Sequence, residues 1–142
     1  MIIATAKKKI DKYLDSGSST PIIVDVSDKE SLDDIISTYN VGSNRFIDAS
    51  AFCGYDGMPQ MDKLEDNISH RKVKVFLTGL SSFLKLKGAN HLKRALQSLL
   101  DLQLDGKLVI ITYQAGTLLS FKDPRLKASG RIIIVDSKVT PV

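Results

Sequence analysis

Five short apolar runs, separated by stretches with helical spacing, constrain this chain more than any other feature. They are Pro21–Val26, Arg45–Ala49, Val73–Leu77, Leu108–Thr112 and Arg131–Val135. Runs such as Ile22-Ile23-Val24 and Leu108-Val109-Ile110-Ile111 are apolar at both parities. That suits strands covered on both faces and does not fit sheets with one wet side. The connections are too long for hairpins, so parallel pairing through helical crossovers is the economical arrangement. The pattern predicts an α/β fold: a three-layer (αβα), Rossmann-like or P-loop-like open sheet of about five mainly parallel strands. At 142 residues the chain is long enough to bury the core of one domain, taken as residues 1–142.

The intervening helices are legible from apolar spacing. Ile10, Tyr13 and Leu14 predict a helix over Thr5–Asp15, and Leu32, Ile35, Ile36 and Tyr39 predict a second. Ser27 with Glu30 has the spacing of a capping box that would start this second helix. Met61, Leu64 and Ile68 mark a third. Leu92, Ala95, Leu96, Leu99 and Leu100 form the broadest stripe, with Asn90 as its expected cap. A short helical piece is expected around Ala115–Phe121, before the turn Asp123-Pro124-Arg125. No helix follows the last run to cover it, which predicts that the chain is the N-terminal part of a longer protein.

Ligands of open parallel sheets usually bind beyond the carboxyl ends of the strands. Those ends carry Asp25, Asp48 and Asp136, with Thr78 and Thr112. Two carboxylates on neighbouring strands could share Mg²⁺, a hard cation that takes oxygen ligands; they could equally cap loops. Asp25, Asp48, Thr78 and Thr112 are therefore the candidate cofactor-binding positions. No recognised motif occupies them. Gly79 follows the third run, but a Walker A loop needs glycine at position 84, which is Leu84. Gly54 and Gly57 do not open a helix as the dinucleotide fingerprint requires. Cys53 would need a histidine brought close to act as a nucleophile, and His70 and His91 both fall in basic surroundings at helix ends. One cysteine and two scattered histidines do not make a zinc set. The expectation is no catalytic residue, no metal site and no cofactor. Arg125 and Arg131 after Asp123-Pro124 could reach a ligand phosphate or simply flank a proline turn.

The net charge is +4, and its distribution matters more than its size. Lys7-Lys8-Lys9 with Lys12 open the chain, and Lys85, Lys87, Lys93 and Arg94 cluster in the middle. The second cluster is a candidate nucleic-acid-binding patch, although a solvated helix face explains it as well. Nucleic-acid binders interleave aromatics with such charges, and this chain has no tryptophan. A single cysteine fits a reducing compartment. No apolar stretch approaches the roughly 18 residues that cross a bilayer. The cytoplasm, with no membrane contact, is the expected location.

The string Gly79-Leu80-Ser81-Ser82-Phe83-Leu84-Lys85-Leu86-Lys87-Gly88 precedes a Leu-rich helix, the run Leu108–Thr112 and the turn Asp123-Pro124-Arg125-Leu126. With Asp48–Cys53 and Met58–Leu64, this layout resembles the N-terminal region of PglZ proteins of BREX-type phage-defence systems. The resemblance spans most of the chain from Pro21 and rests on loose patterns. It implies a bacterial antiviral protein whose phosphatase-like, metal-dependent domain lies C-terminal to this segment, and no catalytic residue of that domain maps onto this chain.

The first reading is thus a non-catalytic accessory domain that docks other domains of its chain or protein partners. The alternatives are a small nucleotide- or Mg-binding enzyme domain using the strand-end carboxylates, and a nucleic-acid-binding module using the lysine-rich helices.

Overall fold

The strands form where β-branched, apolar residues run together. In the computed structural model, which describes residues 2–17, 20–52, 60–80, 89–115 and 131–135, they are β1 (Ile22–Val26), β2 (Arg45–Asp48), β3 (Lys74–Thr78), β4 (Lys107–Tyr113) and β5 (Arg131–Val135). Every residue of β1 is buried, as the two-sided apolar pattern requires. Pro21 sits just before β1, where its missing N–H costs no ladder bond. The helices are α1 (Ile3–Leu14), α2 (Lys29–Tyr39), α3 (Met61–Ser69) and α4 (Ala89–Leu100), with a 3₁₀ turn over Ala49–Phe52 after β2.

All four strand pairings are parallel, and the order across the sheet is β2-β3-β4-β1-β5. This differs from the 3-2-1-4-5 and 2-1-3-4-5 orders common in doubly wound sheets. The path from β1 to β2 crosses the sheet in one direction, and the steps β2→β3→β4 return in the other. Crossovers of one hand then place α2 on one face and α3 and α4 on the opposite face.

The two apolar clusters show this division. Ala6, Ile10 and Leu14 of α1 join Ile35 and Tyr39 of α2 over Ile22, Val24, Phe76, Val109, Ile111 and Ile133. On the other face Leu64 and Ile68 of α3 and Leu96 and Leu99 of α4 cover Ile23, Ile47, Val75, Leu77, Leu108 and Ile110. Fully burying side chains of this size is worth roughly 1.5–3 kcal/mol each, so the three layers hold one another. Within the first cluster Phe76 is stacked between Tyr39 and Phe46, at ring-centroid distances of 5.1 and 5.0 Å. The Tyr39 hydroxyl donates to Asp11 Oδ1 (2.8 Å) and lies 3.1 Å from the Lys7 carbonyl, which ties α2 to α1.

Two helix starts differ from expectation. α2 begins one residue later than the capping-box spacing implies, and its cap is Asp28, whose carboxylate accepts from Ser31 N at 3.1 Å. Ser27 lies outside the helix, and its hydroxyl donates to the Val135 carbonyl at 3.0 Å. Aspartate and serine cap about equally well, so where the helix starts decides which one does the work. In α4 both Ala89 and Asn90 are already helical, so Asn90 is not its cap. The helical piece expected over 116–121 and the turn at Asp123-Pro124-Arg125 lie outside the described residues.

Candidate functional site

The crevice an open sheet offers to ligands lies where adjacent strands send their connections to opposite faces. Here that place is the carboxyl end of β1 beside β4. β1 leaves toward α2 on one face. β4 travels past β1 to reach β5, the direction shared with the α3 and α4 crossovers.

Two of the four candidate residues meet at this point. Asp25 pairs in register with Thr112, and both are almost completely buried, at 5% and 1% exposure. Strand alternation puts both on the α3/α4 face, in line with Ile23 and Ile110. Asp25 Oδ1 accepts from Thr112 Oγ1 at 2.8 Å and from Ala115 N at 2.9 Å. A buried carboxylate oxygen holding two donors is a strong fastening, because breaking either bond leaves a polar group unpaired in the dry interior. It pins the chain just after β4 onto the end of β1.

The backbone beyond β4 completes the closure. Gln114 takes a left-handed conformation (φ 55°), unusual for a residue with a side chain. Its N–H donates to the Val26 carbonyl at 2.8 Å, and its side-chain amide to the Ser27 carbonyl at 3.1 Å. On the other side of β1, Ser27 bonds β5 through both its N–H and its hydroxyl. In nucleotide-binding sheets the helix following the first strand points its N-terminus at a phosphate. Here the Asp28 carboxylate holds that position, and its Oδ1 is buried with no hydrogen-bond partner among the described residues. Two carboxylates of the protein therefore stand at the place where an anionic ligand would bind.

The other two candidates meet elsewhere. Asp48 pairs in register with Thr78 at the ends of β2 and β3. Asp48 is exposed, and its Oδ1 accepts from Ser50 N at 2.9 Å and Ser50 Oγ at 2.8 Å, which starts the 3₁₀ turn. Thr78 donates to the Ile47 carbonyl at 3.4 Å. Next to them Gly79 has φ 75°, and a Cβ there would lie 2.2 Å from Asp48 Oδ1. Glycine is needed both for that backbone conformation and for the close approach.

The two pairs do not form one site. β3 and β4 lie between β2 and β1, so Asp25 and Asp48 are roughly 14 Å apart at the usual strand spacing. Strand alternation also points them to opposite faces of the sheet. A shared Mg²⁺ would need both within about 2.1 Å. The expectation that these two carboxylates could share an ion thus fails on strand order and on parity. Among the described residues no group of three or more His, Cys, Asp or Glu side chains is placed to hold a metal ion. His70, the residue just after α3, is exposed and sits 3.2 Å from Asp66; His91 is exposed on α4.

Of the candidate nucleic-acid residues, Lys93 is half-buried and Arg94 exposed on α4. Lys85 and Lys87 lie outside the described residues, as do Cys53, Gly54, Gly57, Phe83, Leu84, Leu86, Gly130 and Asp136. Asp28 and Gln114 escaped sequence reasoning. Asp28 was legible as a cap residue type, whereas nothing in the sequence marks Gln114.

Residues 5–142 match the family model described as "Domain of unknown function (DUF7864)". The chain belongs to this family. No curated protein matches it. The family description names no activity, so the closed β1–β4 crevice is the direct guide to what this DUF7864 domain does. Among its described residues no helix is long and apolar enough to cross a membrane.

Proposed function

We propose that the chain is a non-catalytic interaction domain with a ligand-binding architecture put to use as a scaffold. The observation that supports this reading is the hydrogen bonding of Asp25. The one buried carboxylate at the topological switch point is fastened to Thr112 and to the Ala115 backbone, with Asp28 capping the adjacent helix. Chemistry at this point would need a carboxylate turned toward a ligand. The partner is another domain of the same polypeptide or a separate protein. The resemblance to PglZ N-terminal regions supports a bacterial phage-defence setting, with a phosphatase-like domain following. The single Cys53 and the absence of a long apolar stretch from the sequence support a cytoplasmic location.

The test is thermal unfolding of the chain with ATP, GTP or NAD, each with and without Mg²⁺, and with single- and double-stranded oligonucleotides at several salt concentrations. The expected result is no shift with any of them. A ligand at one hundred times its dissociation constant adds about 2.7 kcal/mol of stability, well above detection. A nucleotide shift that disappears in Asp25→Asn would replace this reading with the nucleotide-binding one. An oligonucleotide shift that falls steeply with salt would replace it with nucleic-acid binding through the lysines.

A further inference from the structure

We propose that the amino end of the sheet, at the loops entering β2 and β3, docks an acidic, partly apolar surface segment of a partner protein. This deepens the interaction-domain reading and rests on it. The strands are parallel, so these two loops open onto the same end, opposite to the one that holds Asp25, Asp28 and Asp48. Sheets of this kind take anions at the carboxyl end. Here that end carries carboxylates, and the cations stand at the other.

The segments 40–45 and 70–74 contain Arg45, Arg71, Lys72 and Lys74 and no aspartate or glutamate. The register Arg45↔Val75 sets the two segments side by side. Arg45 and Lys72 are exposed, and among the described residues neither they nor Lys74 form an ion pair. A helix C-terminus attracts a cation. Arg71 meets that need for α3, its Nε and Nη2 donating to Asn67 Oδ1 at 3.2 and 2.9 Å. Arg45, Lys72 and Lys74 are left over. Lys74 also stands in register with Lys107, and like charges so placed repel, an arrangement that a carboxylate from outside would stabilise.

Apolar surface lies among these charges. Val41 is 60% and Val73 36% exposed, two of the few large apolar side chains open to solvent among the described residues. The loops are also held in place. Asn44 Nδ2 donates to the Tyr39 carbonyl at 2.9 Å, and the Asp105 N–H to the Ser69 carbonyl at 3.3 Å. Gly106 packs so closely that a Cβ there would lie 2.5 Å from the Val73 carbonyl oxygen. A preformed surface loses little freedom on binding.

The complementary partner places carboxylates against Arg45, Lys72 and Lys74 and an apolar side chain against Val41 and Val73. A nucleic acid would use the cations alone and leave both valines uncovered. Neither segment offers it a Phe, Tyr or Trp on which a base could stack. Charge and apolar surface together favour a protein.

The experiment titrates the whole chain with a fluorescent peptide repeating Glu-Glu-Leu, read by anisotropy and by amide chemical shifts. The expected result is saturable binding, with shift changes centred on 40–45 and 70–74. The double variant Arg45→Glu, Lys72→Glu should bind about tenfold more weakly, and Val41→Ser about threefold. Both alter exposed side chains and should melt like the parent. The double variant Lys9→Glu, Lys63→Glu makes the same change of charge at exposed positions elsewhere and should bind like the parent. No binding, or equal weakening by the Lys9 and Lys63 pair, overturns the proposal. Tighter binding of a duplex oligonucleotide that is lost in Arg45→Glu, Lys72→Glu and unaffected by Val41→Ser also overturns it, in favour of nucleic acid. A peptide failure strikes this surface only, whereas a magnesium-nucleotide shift strikes the interaction-domain reading itself.

Discussion

The β1–β4 end and the β2–β3 end of the sheet use the same residue pair, aspartate facing threonine, to different effect. At β1–β4 the pair is buried, directly bonded, and closes a crevice with help from Ala115 N and Gln114. At β2–β3 the aspartate is exposed and turned to its own loop, and the threonine to a neighbouring carbonyl. Sequence type and register are alike, and burial separates them. A carboxylate in the dry interior must keep its donors or incur a full desolvation cost, whereas one at the surface exchanges them for water.

That contrast can be broken by substitution. Asp25→Ala leaves Thr112 Oγ1 and Ala115 N without their acceptor in a buried site, and is expected to cost about 3 kcal/mol in chemical denaturation. Gly79→Ala places a methyl group against Asp48 Oδ1 at a left-handed backbone position and should cost about 2 kcal/mol; a neutral result would mean that the β2–β3 end is looser than described. Tyr39→Phe removes the hydroxyl that links α2 to α1 and should cost about 1 kcal/mol. The same residue gives a pH test. Burial, then the hydrogen bond to Asp11 and its charge, raise the Tyr39 phenol well above its ordinary 10.0. The folded state therefore keeps the proton when the unfolded state gives it up, and stability falls as pH rises above that value. In Tyr39→Phe this alkaline slope should flatten. The smallest effect is expected for Asp48→Ala, about 0.5–1 kcal/mol, as for loss of an exposed cap.

The strands were legible to within about a residue because the central ones, β1 and β4, are apolar at both parities, which leaves a buried parallel sheet as the natural solution. The helix faces were legible for the same reason: Ile35, Tyr39, Leu64, Ile68, Leu96 and Leu99 are buried where periodicity places them. The start of α2 was not, since Ser27 and Asp28 are both good caps and the choice depends on Ser27 reaching across to Val135. Nor was the grouping of the candidate site. Whether Asp25 meets Thr112 or Asp48 depends on β4, not β2, lying beside β1, and strand order arises from packing between residues some ninety positions apart. Parity then sends Asp48 to the opposite face. Local spacing contains neither fact.

The central claim is that Asp25 serves the fold and not a ligand. A double-mutant cycle on Asp25→Ala and Thr112→Val, measured by urea denaturation of the parent, the two single variants and the double variant, tests it directly. The account predicts that both single variants are destabilised and that the pair is coupled by about 1 kcal/mol or more. An Asp25→Ala variant as stable as the parent, or a coupling near zero, would contradict it.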